Sequence, residues 1–154
     1  CCCPLTEGNL GDGIPDLRVV PEAWRRLCLG SDSNLRIAPI EDMRWLEYGQ
    51  RLRGELRGAL ADAAGAIAPT LLAAATEGGA AALGLDAGRI TPGAWADLVA
   101  IDLTVPGLRD IPPDRLLDAI VFGAGNEAVA GTWVGGAWRP TGGRAGERDR
   151  IPVS

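Results

Sequence analysis

Leu27-Cys28-Leu29-Gly30-Ser31-Asp32-Ser33-Asn34 is a short apolar run that passes directly into small polar residues grouped around one carboxylate. The three apolar residues, closed by a glycine, read as a short strand. A carboxylate at the end of such a strand can ligate a metal and accept a proton from a metal-bound water. The same residues also read as an ordinary turn, in which Asp32 caps a backbone amide. The tetrapeptide alone leaves both readings open.

Working outward, Cys1-Cys2-Cys3 is a second compact apolar run, stopped by Pro4 as a buried strand would be. Residues 5–16 mix glycines, a proline and hydrogen-bonding side chains, and are expected to form a long loop. Residues 17–26 read as a weak helix interrupted at Pro21. Downstream, residues 39–60 carry the clearest helical signal. Pro39 suits the first turn, Glu41 and Asp42 favour the positive end of the dipole, and Met43, Leu46, Leu52, Leu56 and Leu60 share one face. Residues 70–83 form a second helical region of small apolar residues, which Gly78-Gly79 is expected to split. Gly84 closes it.

The character then changes. Residues 96–102 read as a strand bracketed by acids, residues 112–120 as a short helix, and residues 128–133 with 137–139 as a hairpin around Gly135-Gly136. The tail from Thr141 is polar and Gly-rich and is expected to be loosely held. The chain is therefore read as two units, residues 1–85 and residues 86–154. The first alternates strands and helices, and the second is β-rich.

Bulk properties limit the functional classes. An apolar fraction of 47% is that of a globular protein. All 15 basic residues are arginine; they are scattered and outnumbered by 20 acids, for a net charge of −5, which argues against a nucleic-acid surface. No stretch approaches the roughly 18 apolar residues of a membrane span. Three of the four cysteines are consecutive, which suits neither a zinc clamp nor a disulfide framework. They read as small buried side chains in a reducing, cytoplasmic setting. A start at Cys1 rather than Met suggests a missing upstream portion.

An acid at the C-terminal end of a parallel strand is where α/β barrels place catalytic groups. Cys3-Pro4-Leu5-Thr6-Glu7-Gly8-Asn9-Leu10-Gly11-Asp12-Gly13-Ile14 resembles the segment after the seventh barrel strand of the amidohydrolase superfamily, and Gly30-Ser31-Asp32-Ser33-Asn34 the end of its eighth. Gly88-x-Ile90-x-x-Gly93-x-x-Ala96-Asp97-Leu98-Val99-x-x-Asp102 resembles the return into the superfamily's small β-sandwich. Trp133-Val134-Gly135-Gly136-x-Trp138 resembles its closing hairpin. Glu41-Asp42-Met43-Arg44-Trp45-Leu46-Glu47-Tyr48-Gly49-Gln50-Arg51-Leu52-Arg53 is similar to the helix following the eighth strand in the formimidoylglutamate deiminase branch, and Thr6-Glu7-x-Asn9-Leu10-Gly11-Asp12-Gly13 together with Leu46–Arg53 narrows the resemblance to that branch.

The resemblance implies an α/β fold: the C-terminal portion of a metal-dependent (β/α)8 barrel, strands 7 and 8 with their helices, plus part of the β-sandwich. It implies hydrolysis of a C–N bond with one divalent metal, usually zinc, and a small-molecule substrate. In the formimidoylglutamate branch the reaction takes N-formimidoyl-L-glutamate to N-formyl-L-glutamate and ammonia, in histidine degradation. Asp32 would be the metal ligand and proton acceptor. Ser33 and Asn34 would lie at the rim, and Thr6, Glu7 and Asn9 on a loop that could line the substrate pocket.

The chain departs from the family's pattern in having no histidine. The family draws further metal ligands from earlier strands, and a catalytic zinc takes about three ligands from protein. A barrel of this type needs about 250 residues and eight strands, of which two are legible. The resemblance therefore implies a missing N-terminal barrel portion, inactivity of this part alone, and a homodimer as a possible state of the full-length enzyme. Two alternatives stand: another amidohydrolase deaminase of purine or triazine type, and a non-catalytic chain that pairs with a separate N-terminal half.

Overall fold

The computed structural model describes residues 1–19, 26–34 and 36–140. The two short apolar runs meet, but in one isolated bridge rather than as the strands expected. Cys2 and Leu29 form a parallel bridge, with the Cys2 amide on the Cys28 carbonyl at 2.9 Å and the Gly30 amide on the Cys2 carbonyl at 3.0 Å. Strand alternation sends Cys2, Leu27 and Leu29 to one face, where they pack on the main core.

The stretch expected to be a long loop begins instead with a helix, α1 (Pro4–Leu10). Pro4 occupies the first turn and Gly11 closes the end in a left-handed conformation (φ 74°). The Glu7 carboxylate folds back to accept the Cys3 amide at 2.8 Å. Gly8 and Asn9, which weaken the helix in isolation, are outweighed by these ties. A 3₁₀ turn at Leu17–Val19 stands at the start of the weak helix expected over residues 17–26; residues 20–25 of that expectation lie outside the described residues.

Helix α2 (Pro39–Gly54) begins where expected but ends before residue 60, with Glu55 in a left-handed conformation (φ 51°). Its inner face carries Ile40, Met43 and Leu46, whereas Leu52 and Leu56 are exposed. Leu60, beyond the helix, is completely buried. The next helical region is not split by its two glycines. Helix α3 (Ala68–Ala73), a π-helical stretch (Ala74–Gly78) and helix α4 (Gly79–Leu83) run on with helical dihedrals.

In the second half β1 (Leu98–Ile101), β2 (Val129–Val134) and β3 (Ala137–Pro140) form an antiparallel sheet in the order β1-β2-β3. Gly135 (φ 56°) and Gly136 (φ 79°) both take the positive φ that a tight two-residue hairpin turn requires. Trp133 pairs with Trp138 across the strands, with ring centroids 4.4 Å apart. The Asp97 carboxylate accepts the Gly135 amide at 2.6 Å and ties the strand motif to the hairpin.

Helix α5 (Leu116–Gly123) joins the first half rather than the sheet alone. Val121 is fully buried in the core with Met43, Leu46, Leu60 and Leu71. Arg44 of α2 donates to the Val121 carbonyl at 2.9 Å and to the Ala124 carbonyl, satisfying free acceptors at the end of α5. The expected tail from Thr141 lies outside the described residues.

Candidate functional site

The parallel bridge delivers the chain into a tight turn at residues 31–34, closed by the Asn34 amide on the Ser31 carbonyl at 3.1 Å. Asp32 sits at its corner with φ 48°, a left-handed conformation that Asp tolerates better than most residues. Asp32 and Ser33 are exposed and Asn34 is half-buried. The Asn34 side-chain oxygen accepts the Arg36 amide at 3.4 Å.

The residues of α1 lie in different places. Thr6 is buried, and its hydroxyl donates to the Ser31 carbonyl at 2.7 Å, beside Asp32. Glu7 is half-buried and caps Cys3. Asn9 is exposed. The structure thus brings Thr6 to the Asp32 turn, holds Glu7 at the strand end through Cys3, and leaves Asn9 on the outer side.

Cys3 is the nearest thiol to this turn. A Cβ built on Gly30 would lie 3.3 Å from its Sγ and 3.4 Å from that of Cys1. Burial pushes the Cys3 thiol above its ordinary value, and the negative charges of Asp32, Glu7 and Asp42 push the same way. The Cys2 thiol is raised chiefly by burial as well. Both therefore stay protonated at neutral pH, and neither is an activated nucleophile. All four cysteines are free.

The donor set of this chain fits one ligand of a metal site rather than a whole one. An exposed carboxylate at a strand end is a suitable oxygen donor, but among the described residues no group of three or more His, Cys, Asp or Glu could hold an ion.

A cavity of about 240 Å³ lies between α1 and α2, lined by Glu7, Gly8, Ile14, Trp45, Gly49 and Gln50 among others. It includes Glu7 but not Asp32. Three buried polar residues of α2 escaped the functional reading. Asp42 accepts the Leu5 amide at 3.1 Å and anchors the start of α1. Glu47, fully buried, accepts the Ala59 amide at 3.0 Å, the Leu60 amide at 2.9 Å and Arg51 Nε at 2.7 Å. Gln50, also fully buried, accepts the Leu17 amide at 3.1 Å and donates to the Pro15 carbonyl at 2.8 Å. The sequence signal for them was their place on the inner face: Glu47 and Gln50 lie four and seven residues after Met43, and Asp42 lies four before Leu46.

Residues 1–139 match the amidohydrolase family, and the chain belongs to it. It is 42% identical over 147 residues to formimidoylglutamate deiminase of Pseudomonas aeruginosa, covering 94% of this chain and 32% of that protein. It is 34% identical to 5-methylthioadenosine/S-adenosylhomocysteine deaminase of Natronomonas pharaonis, covering 87% and 30%. Among solved structures, an amidohydrolase from Brucella melitensis superposes with a TM-score of 0.75 at 37% identity, covering 88% of this chain and 30% of that one. A zinc-bound adenosine deaminase from Xanthomonas campestris superposes with a TM-score of 0.72 at 28% identity, with the same coverage. The chain thus spans about a third of the length of the curated relatives it matches. These neighbours support an α/β fold. Among the described residues no helix is long and apolar enough to cross a membrane.

Proposed function

We propose that this chain is the C-terminal part of a metal-dependent hydrolase that deiminates N-formimidoyl-L-glutamate to N-formyl-L-glutamate and ammonia. In this reading Cys1–Cys3 and Leu27–Leu29 are the last two strands of a (β/α)8 barrel, and residues 86–140 belong to a small β-sandwich unit, with α5 returning to pack on the barrel helices. The observation that carries the reading is the position of Asp32, a carboxylate held in a left-handed turn at the end of a strand in a parallel bridge. The identity to formimidoylglutamate deiminase across 94% of the chain favours that substrate.

Asp32 would supply one carboxylate oxygen to a divalent metal, taken to be zinc, whose other ligands lie on the missing N-terminal barrel portion. When bound, that metal would polarise the substrate and lower the pKa of a water. Asp32 would take the proton of the water that adds to the formimidoyl carbon and would return it to the departing nitrogen, which leaves as ammonia when the C–N bond breaks. Ser33 and Asn34 would edge the site. Glu7 would line the pocket wall from α1, with Thr6 held on the Ser31 carbonyl and Asn9 on the outer side. The setting would be the cytoplasm, with a homodimer as the assembled state.

A second reading rests on a particular observation, the 34% identity to a methylthioadenosine deaminase, and takes a purine nucleoside as substrate. The test completes this chain with its N-terminal barrel portion and measures ammonia release from formimidoylglutamate and from methylthioadenosine. Preference for the first and its loss by roughly 10²–10⁴-fold in Asp32→Ala are expected, the range for removing a positioned acid–base group. Undiminished turnover in Asp32→Ala would refute the role of Asp32, and preference for the nucleoside would replace the substrate.

A further inference from the structure

Asp32 takes a backbone conformation that costs a non-glycine residue roughly 1 kcal/mol, so something in the surroundings must hold it. The Ser31–Asp32 peptide is a rigid plane that carries the Ser31 carbonyl at one corner and the Asp32 amide at the other. Fixing the carbonyl fixes the orientation of the amide, and with it the side from which φ of Asp32 is set. Among the described residues two donors reach that carbonyl, the Thr6 hydroxyl at 2.7 Å and the Asn34 amide at 3.1 Å. The Asn34 amide belongs to the turn itself and would follow it through a rearrangement. Thr6 comes from another element.

The attachment of Thr6 is firm. It is 2% exposed. The residue before it, Leu5, donates its amide to the buried Asp42 of α2, and the residue after it, Glu7, caps Cys3 on the neighbouring strand. Helix α1 is thereby pinned to α2 and to the parallel bridge on either side of Thr6. The hydroxyl carries that rigidity 25 residues along the chain to the peptide before Asp32.

We propose that Thr6 is the positioning residue that sets the conformation of Asp32. It does so through the Ser31 carbonyl and without touching substrate or metal. This deepens the assignment of Asp32 to the reactive site and rests on it for its functional meaning, but not for its test.

The test reads the backbone at Asp32 directly. In the enzyme completed with its N-terminal barrel portion, with this chain isotopically labelled as a segment, a positive φ gives Asp32 a strong cross-peak between its own amide and Hα protons. Thr6→Val keeps the shape and removes the hydroxyl, and Thr6→Ala removes both. In each the cross-peak should weaken roughly fourfold, the change expected when φ turns negative and these protons separate. Thr6→Ser, which keeps the hydroxyl, should retain the wild-type intensity. Thr104→Val is the control, because it deletes a similar hydroxyl bond, to the Asp102 carboxylate, in the loop after β1, and should leave Asp32 unchanged.

Wild-type intensity in Thr6→Val or Thr6→Ala would overturn the proposal, as would a loss in Thr6→Ser equal to that in Thr6→Val. If Thr6→Val does not fold, Thr6→Ala and Thr6→Ser decide by the same criteria. No metal or substrate enters the measurement. A negative result here leaves the ligand role of Asp32 standing, and an active Asp32→Ala enzyme leaves the Thr6 coupling standing.

Discussion

Gly78 and Gly79 are neighbours with the same backbone and different surroundings, and alanine at each should act in opposite directions. Gly78 has φ −62° and ψ −45°, and Gly79 has φ −62° and ψ −46°. A Cβ on Gly79 meets nothing within 4 Å. A Cβ on Gly78 would lie 2.0 Å from the Leu27 carbonyl oxygen and 3.1 Å from its carbon. Both substitutions gain the advantage of Ala over Gly in a helix, about 0.5–1 kcal/mol. That term cancels in the comparison, which leaves the overpacking at Gly78. Real Cβ contacts stay beyond about 3.0 Å, so the helix and the strand at Leu27 must separate by about 1 Å. Overpacking of this kind costs about 1–3 kcal/mol. Gly79→Ala should therefore be stabilised, and Gly78→Ala should fall below it by about 1–3 kcal/mol. At roughly 2–4 °C per kcal/mol for a chain of this size, the two midpoints differ by about 2–12 °C. Urea denaturation followed by tryptophan fluorescence gives the difference directly. Midpoints that coincide, or a Gly78→Ala variant more stable than Gly79→Ala, would refute the close approach of the π-helical stretch to the strand.

Two further outcomes follow from the buried acids of α2. Glu47→Ala leaves the Ala59 and Leu60 amides without their acceptor and removes the ion-pair partner of Arg51, a loss of about 3–5 kcal/mol. Hydrogen exchange should accelerate at residues 59 and 60 more than at β2, and equal acceleration would count against the clamp. The Asp42 carboxyl is raised above its ordinary value of 3.8, first by burial and then by Glu41 and Glu7, against the Leu5 amide and Arg36. The folded state therefore binds its proton more tightly than the unfolded chain, so stability is fully present below 3.8 and is lost as pH rises through the raised value. Asp42→Asn keeps an oxygen for Leu5 and should match the wild type in acid and exceed it at neutral pH. A wild type that gains on the variant as pH rises would contradict the burial.

How far the fold was legible depended on whether the signal was local. The hairpin at Gly135-Gly136 and the start of α2 at Pro39 are set by turn and dipole chemistry within a few residues, and both appear where the sequence puts them. The two apolar runs were legible because each ends at a breaker, Pro4 and Gly30, whereas their parallel pairing was implied by the family resemblance alone. Helix α1 was not, because Gly8 and Asn9 argue for a loop and the ties that overrule them come from Asp42, 37 residues away in the Leu5 bond. The glycine pair in the third helical region was misread for a related reason. Gly78 is there to let the strand approach, which is a property of the packed pair and leaves no trace in helical periodicity. In the site, Asp32 was visible as a carboxylate after a strand. The work of the Thr6 hydroxyl was not, since its partner is a backbone atom 25 residues on.

Of the two motifs that narrow the resemblance within the family, the one on α2 does not belong to the Asp32 turn. Glu47 and Gln50 are committed to local structure, Glu47 to the amides of residues 59–60 and to Arg51, and Gln50 to the backbone of Pro15 and Leu17. Gly49 leaves room for Ile14, whose Cγ2 would lie 3.2 Å from an added Cβ. Arg51 sits 5.4 Å from the rings of both Tyr48 and Phe122, which joins α2 to α5. One face of α2 therefore fixes the path of the segment that follows α1, while Asp42, earlier on the same helix, fixes where α1 begins. A change at Gln50 or Gly49 alters the shape of the wall beside Glu7 without moving the carboxylate at Asp32. If relatives of this chain divide by substrate, that wall is where α2 can express the difference, because the buried amide bonds tolerate few alternatives and the strand-end carboxylate is not within their reach.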